Sequence, residues 1–265
     1  MSILTDIRIH RERFDIYYKK FTCSCSYDSE AYEHLHLKWL HSLNVAANAE
    51  QILAAVDLPP HLVRAAQLAA LYHDVARFKQ YAQFGTFKDA ESADHGAWGS
   101  KILKTEMLLE GEEEYIASLI RASVSMHNRA DVPVGIPEDY LVVTSVVRDA
   151  DKIDILRVLS AYMHPAGPRS DVVTAALPDL PDRWNVKIYN DLMQGRSAKY
   201  EDMRFLNDFR LLLCTWLFGL NFPVSRAIIA EQGHIPDILE GLPETPEMNR
   251  ARRVVEAVLN SRAAN

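Results

Sequence analysis

Residues 65–74 read Ala65-Ala66-Gln67-Leu68-Ala69-Ala70-Leu71-Tyr72-His73-Asp74. A helix of small and apolar residues runs into an adjacent histidine and aspartate. Neighbouring side chains on a helix point about 100° apart, so a centre that uses both needs ligands from other helices. The chain offers His41 upstream and His95, His127 and Asp151 downstream. The successive gaps are 32, 22, 32 and 24 residues, each the length of one helix plus a loop. Consecutive helices of a bundle can therefore bring all six side chains to one centre. Imidazole and carboxylate donors without a thiolate suit Mn, Fe, Co, Ni or Zn and, less well, Mg. The alanines at 65, 66, 69 and 70 let other helices approach closely, as such a centre requires; ordinary tight packing asks for the same alanines.

The order His, then His-Asp, then a distant aspartate in Arg148-Asp149-Ala150-Asp151-Lys152-Ile153-Asp154 resembles the HD-domain metal-dependent phosphohydrolase superfamily. The resemblance covers roughly residues 29–160. It implies an all-α, multi-helix HD-domain-like bundle, with additional helices beyond it. His41, His73, Asp74 and Asp151 match the family's four-ligand set. His95 and His127 stand where two-metal members, such as cyclic-nucleotide and HD-GYP phosphodiesterases, carry extra histidines. The segment Asn128-Arg129-Ala130-Asp131-Val132-Pro133-Val134-Gly135-Ile136-Pro137 lacks the Gly-Tyr-Pro signature and paired histidine of the HD-GYP group, which speaks against cyclic dinucleotides.

What the resemblance implies is hydrolysis of a phosphomonoester or phosphodiester, of a nucleotide, by a metal-activated water. Two divalent cations would share Asp74. His41, His73 and Asp151 would complete one, and His95 and His127 the other, with Asp74, His95 and His127 as the catalytic candidates. Two alternatives stay open. A one-metal, nucleotidase-like enzyme would use His95 and His127 on the phosphate or as general acid. A metal- or nucleotide-binding sensor would turn nothing over.

Three basic residues are candidates for holding phosphate. Arg77 follows Asp74 by three residues and shares its face if the helix continues. Arg148 and Lys152 flank Asp151 at i, i+3 and i+4, where ordinary helix-surface pairing is the alternative. The aromatic stretch Phe78 to Phe87 reads as a loop and a candidate pocket wall for a ring-bearing substrate. His34 shares a stripe with Leu37 and His41 and is expected at the rim or surface. Ser92 is expected to cap the helix that carries His95 in its first turn, with Gly99 leaving space beside it.

Helical patterning is expected over about 1–20, 30–56, 60–78, 92–110, 112–127 and 138–160. After the break at His164-Pro165 and a long connection, it resumes over about 182–194, 203–220, 223–232 and 246–260. This predicts an N-terminal helix (1–28) packed on the core, an HD-like core (29–165) and a C-terminal helical extension of the same domain (166–265). The stretch around Leu213 is apolar all round, which marks a buried helix or a homodimer interface.

A hydrophobic content of 48% supports a sizeable core, and a net charge of −7 argues against a general nucleic-acid binder. No apolar run of about 18 residues predicts a membrane span. Met1 to Lys20 is too charged for a secretory signal. Cys23, Cys25 and Cys214 form no disulfide framework and read as reduced thiols. A cytoplasmic protein acting on a small phosphoester is the expectation.

Overall fold

The computed structural model describes residues 7–164, 166–168 and 170–261, which are helical with no strand among the described residues. The chain divides into two compact units, and the division falls between Asp151 and Lys152. The helices of the first unit are α1 (Arg8–Thr22), α2 (Glu30–Ala54), α3 (Pro60–Tyr72), α4 (Ala76–Phe84), α5 (His95–Thr105) and α6 (Glu114–Met126). It also holds the leading part of α7 (Glu138–Met163). Of the candidate site, only Lys152 lies beyond it.

Local chemistry sets the starts and stops. Ser29 caps α2, its hydroxyl accepting from Tyr32 N at 3.2 Å, and Glu30 and Glu33 sit in the first turn against the helix dipole. Pro60 opens α3, where its missing N–H costs nothing. Gly85 closes α4 at φ 65°, a left-handed conformation that glycine takes without strain. The buried small face of α3 (Ala65, Ala66, Ala69, Ala70) lets α2 and α6 pack against it. Helix α5 lies close along α6: a Cβ on Gly99 would meet Val124 Cγ1 at 2.9 Å, and one on Gly96 would meet the Val124 carbonyl at 2.9 Å. The space expected beside His95 is therefore filled by α6. Asn48 of α2 donates to the Ala150 carbonyl at 3.3 Å, and Ser123 of α6 meets Thr144 at 3.1 Å, which ties α7 to both helices.

Several sequence expectations are corrected. The helix anticipated over 60–78 breaks at Tyr72, and His73 to Val75 form a turn before α4 begins. Its backbone closes i→i+3 bonds, Val75 N to Tyr72 O at 3.0 Å and Arg77 N to Asp74 O at 2.9 Å. The stretch expected as an aromatic loop is mostly α4. Phe78 is fully buried against Phe14 and Tyr18 of α1, with ring centroids 5.5 and 5.4 Å away, so it builds the core and not a pocket. His34 is buried, with Nδ1 2.8 Å from the Tyr81 hydroxyl. Asp94, not Ser92, caps α5. Helix α5 also ends at Thr105, short of residue 110. Within the N-terminal helix, residues 1–6 lie outside the described residues.

The second unit holds α8 (Val186–Met193), α9 (Leu206–Thr215), α10 (Pro223–Gln232), α11 (His234–Glu240) and α12 (Pro246–Asn260). Every residue of α9 is buried. Asp208 fixes its entry by accepting from the backbone N–H groups of Asn185, Arg204 and Phe205 at 2.5, 2.8 and 2.9 Å. Helix α9 is shorter than the 203–220 expected, and residues 216–219 tighten into a 3-10 turn. Helix α11 was not anticipated. Among the described residues no helix is long and apolar enough to cross a membrane.

Candidate metal centre

Four helices and one turn deliver the six expected ligands. His41 lies in α2, His73 and Asp74 in the turn between α3 and α4, His95 at the first position of α5, His127 just past α6, and Asp151 in α7. The turn at His73 to Val75, closed by i→i+3 bonds, carries both His73 and Asp74 into the cluster. All six come together. His41 Nε2 lies 3.2 Å from His73 Nε2 and 3.0 Å from Asp151 Oδ1; His95 Nε2 lies 3.1 Å from His127 Nε2.

Asp74 stands at the middle, and its two oxygens face different neighbours. Oδ2 faces His73 at 3.7 Å and His41 at 3.8 Å, whereas Oδ1 faces His95 at 3.4 Å and His127 at 3.8 Å. Two cations of the protein compete for the same carboxylate. Lys38 Nζ is 2.8 Å from Oδ2, and Arg77 Nε is 3.3 Å from Oδ1. Burial alone would raise the Asp74 carboxyl, but Lys38, His73, Arg77 and His95 outweigh it and hold it well below the usual carboxylate range. Asp151 shows the same balance: burial pushes it up, and His41 and His73 pull it well down.

The donor set fits a divalent cation on two observations. His73 and His127 each place Nδ1 2.8 Å from a carbonyl of their own chain turn, Ala70 and Val124, and a carbonyl can only accept. His95 places Nδ1 2.6 Å from Asp89 Oδ2. All three rings therefore carry hydrogen on Nδ1 and aim an Nε2 lone pair inward. Two such lone pairs, from His95 and His127, face each other at 3.1 Å, an arrangement that a shared positive charge relieves. Asp151 Oδ1 is likewise shielded from solvent without closing a hydrogen bond. Among the described residues four groups have the donor spacing of a metal site: His41–His73–Asp74, His73–His127–Asp151 and Asp74–His95–His127, which overlap within the cluster, and the more exposed Asp89–Asp94–His95, which joins it through His95.

Burial, then the neighbouring His95 and His73, bring His127 down to about 3; burial, then Arg77, lower His95. Both are neutral at pH 7. The consequence for metal-free protein has a definite sign. Unfolded, His127 gains a proton near its ordinary 6.5, whereas folded it resists to about 3. Stability is thus full above about pH 6.5 and falls as the pH drops towards about 3, by up to about 1.4 kcal/mol per pH unit for one such group. Asp74 and Asp151 add a loss below their ordinary 3.8. Urea midpoints of metal-free protein should therefore fall steadily from about pH 7 to about pH 4, and His127→Gln should flatten that slope. A midpoint independent of pH over this window would contradict the buried neutral histidines.

The expected phosphate holders sit differently from one another. Arg77 is inside the cluster, its Nη1 also donating to the Phe87 carbonyl at 2.5 Å. Arg148 directs its guanidinium at the backbone carbonyls of His127 (3.2 Å), Arg129 and Ala130 (3.1 Å), and so clasps the turn that follows α6. Lys152 belongs to the second unit, where Nζ donates to the Gly219 carbonyl at 3.1 Å. Sequence reasoning missed Lys38 and Asp89. Lys38 precedes His41 by three residues on α2, a spacing that puts both on one face and was available from the sequence. Its Nζ lies 5.3 Å from the Phe87 ring, with Arg77 5.8 Å from the same ring.

The family model described as HD domain matches residues 39–158, a span that encloses all six clustered side chains. No curated protein and no solved structure matches the chain.

Proposed function

We propose, from the premise that the chain carries an HD domain over residues 39–158, that it is a phosphohydrolase using two divalent cations to cleave a phosphomonoester or phosphodiester of a nucleotide. HD domains belong mostly to metal-dependent phosphohydrolases, and some members are non-catalytic. The observation that carries the reading is the division of ligands by Asp74: His41 and His73 on one oxygen, His95 and His127 on the other. Asp151 completes the first group. Cations held there would bring the pKa of a water towards about 7 and draw charge from phosphoryl oxygens.

The protein's own groups do the rest. His95 and His127, neutral at pH 7, offer lone pairs rather than protons, so we read them as ligands and not as general acids. Lys38 and Arg77, the cations nearest Asp74, meet the phosphoryl oxygens, where charge develops. Phe87 and Tyr81 pack as a tilted pair, ring centroids 5.0 Å apart, with Phe87 beside Lys38 and Arg77, and give a nucleobase an aromatic face. Arg148 holds the His127 turn in place.

The test is metal stoichiometry by elemental analysis on protein purified without a chelating column, followed by a phosphoester panel. About two cations per chain, falling towards one in His95→Ala and His127→Ala, are expected together with turnover. One cation, unchanged by those substitutions, would overturn the two-cation reading in favour of a nucleotidase-like site. Nucleotide binding without any hydrolysis would overturn the enzyme reading.

A further inference from the structure

The inward-facing histidines are backed in two ways. His73 and His127 give Nδ1–H to neutral peptide carbonyls, whereas His95 gives it to a carboxylate, Asp89 Oδ2, at 2.6 Å. Asp89 sits in the 3-10 turn that follows α4, and its position is held from several sides. Its Oδ1 accepts from Arg77 Nη1 and Gln80 Nε2, each at 3.0 Å, and its Oδ2 also accepts from Asn128 Nδ2 at 3.3 Å. Gln80 is fully buried. Arg77 in turn reaches Asp74 Oδ1. Asp74, Arg77, Asp89 and His95 are therefore linked in one chain of hydrogen bonds, and its two ends, His95 Nε2 and Asp74 Oδ1, are both acceptors that face each other at 3.4 Å. The chain runs along the His95 side of the cluster.

We propose that Asp89 is the positioning residue that makes the Asp74–His95–His127 half a cation site. The inference rests on the two-cation reading above. With a carboxylate behind Nδ1, His95 keeps its hydrogen there and its Nε2 lone pair points at His127. Without that charge, His95 can place its hydrogen on Nε2, and that nitrogen then has nothing to donate to a cation. A carboxylate behind an imidazole also raises its basicity as a ligand, and losing such a partner commonly costs about 10- to 100-fold in metal affinity. His41, His73 and Asp151 make up the other half, so the effect is selective for one of two cations. Selectivity separates positioning from mere anchoring. If Asp89 only tethered its turn to α4 through Arg77 and Gln80, both cations would weaken together or neither would.

The experiment is calorimetric titration of the metal-free full chain with Mn2+. The wild type should take two. Asp89→Asn should weaken one by about 10- to 100-fold and leave the other nearly unchanged, and Asp89→Glu, which keeps the carboxylate, should recover part of the loss. The ring nitrogens of His95 in the metal-free wild type give a second readout that needs no variant to fold. Their NMR shifts should report hydrogen on Nδ1, and hydrogen on Nε2 would overturn the proposal. A wild type that takes a single Mn2+ overturns the two-cation reading and this inference with it. Two in the wild type, with both affinities unchanged in Asp89→Asn, overturn this inference alone.

Discussion

Asp74→Asn is expected to strip the centre of both cations and to lower phosphoester turnover by at least about 1,000-fold, or about 4 kcal/mol of barrier. No other substitution in the cluster should do both. Replacing His95 or His127 removes a ligand from one half, and replacing His41 removes one from the other. Asp74 alone offers an oxygen to each. The amide keeps the shape but loses the charge that balances Lys38 at 2.8 Å and Arg77 at 3.3 Å. Those two side chains would then lack their shared carboxylate and would repel an incoming cation. The readouts are elemental analysis and turnover, with far-UV circular dichroism to establish that the variant is folded. A folded Asp74→Asn that retains two cations and full activity would sink the proposed mechanism. His73→Ala should approach it in severity, because His73 Nε2 lies close to His41, Asp74 and Asp151 at once.

The clustering of the six candidate side chains was legible because it obeys a spacing that helices impose. His41, His73, His95, His127 and Asp151 recur at intervals of one helix and a connection, and the helices do converge. What the sequence hid was the path between them. No proline or glycine marks the end of α3 at Tyr72, and His73 and Val75 keep right-handed helical backbone angles, so periodicity runs straight through His73 and Asp74. The aromatics of α4 suggested a loop because they crowd together ahead of Gly85. Asp89 was invisible for a different reason. In Lys88-Asp89-Ala90-Glu91-Ser92-Ala93-Asp94 it is one of several acids in a polar run, and only the fold turns its carboxylate onto His95. In the second unit, the helices opened by Pro223 and Pro246 match their expected bounds, since proline fixes a first turn. Helix α11 follows α10 after the single residue Gly233 and carries Pro236, so nothing in its short pattern announced it.

Glu112→Ala is expected to destabilise the protein by about 3–5 kcal/mol, the usual cost of removing one partner from a buried ion pair. Its carboxylate, 6% exposed, accepts from Arg64 Nε at 2.7 Å, Arg64 Nη2 at 2.5 Å and His10 Nε2 at 2.9 Å. Burial would raise the Glu112 carboxyl, but Arg64 and His10 outweigh it and lower it. The alanine leaves the Arg64 guanidinium, 9% exposed, without that carboxylate. It also releases His10, whose Nδ1 lies 3.3 Å from the Tyr72 hydroxyl. A double replacement, Arg64→Met with Glu112→Leu, removes both charges and fills the space, so it should cost far less than the two single changes added together. Additive losses would mean that the pair is not coupled in the folded state. Tyr72 immediately precedes the His73–Asp74 turn, so the network braces the chain just ahead of that turn, and none of its members is one of the six clustered residues. Metal affinity measured on folded protein should therefore change little in Glu112→Ala. Saturating cation should instead raise the melting temperature of the variant and the wild type alike, because binding only to the folded state stabilises both by mass action.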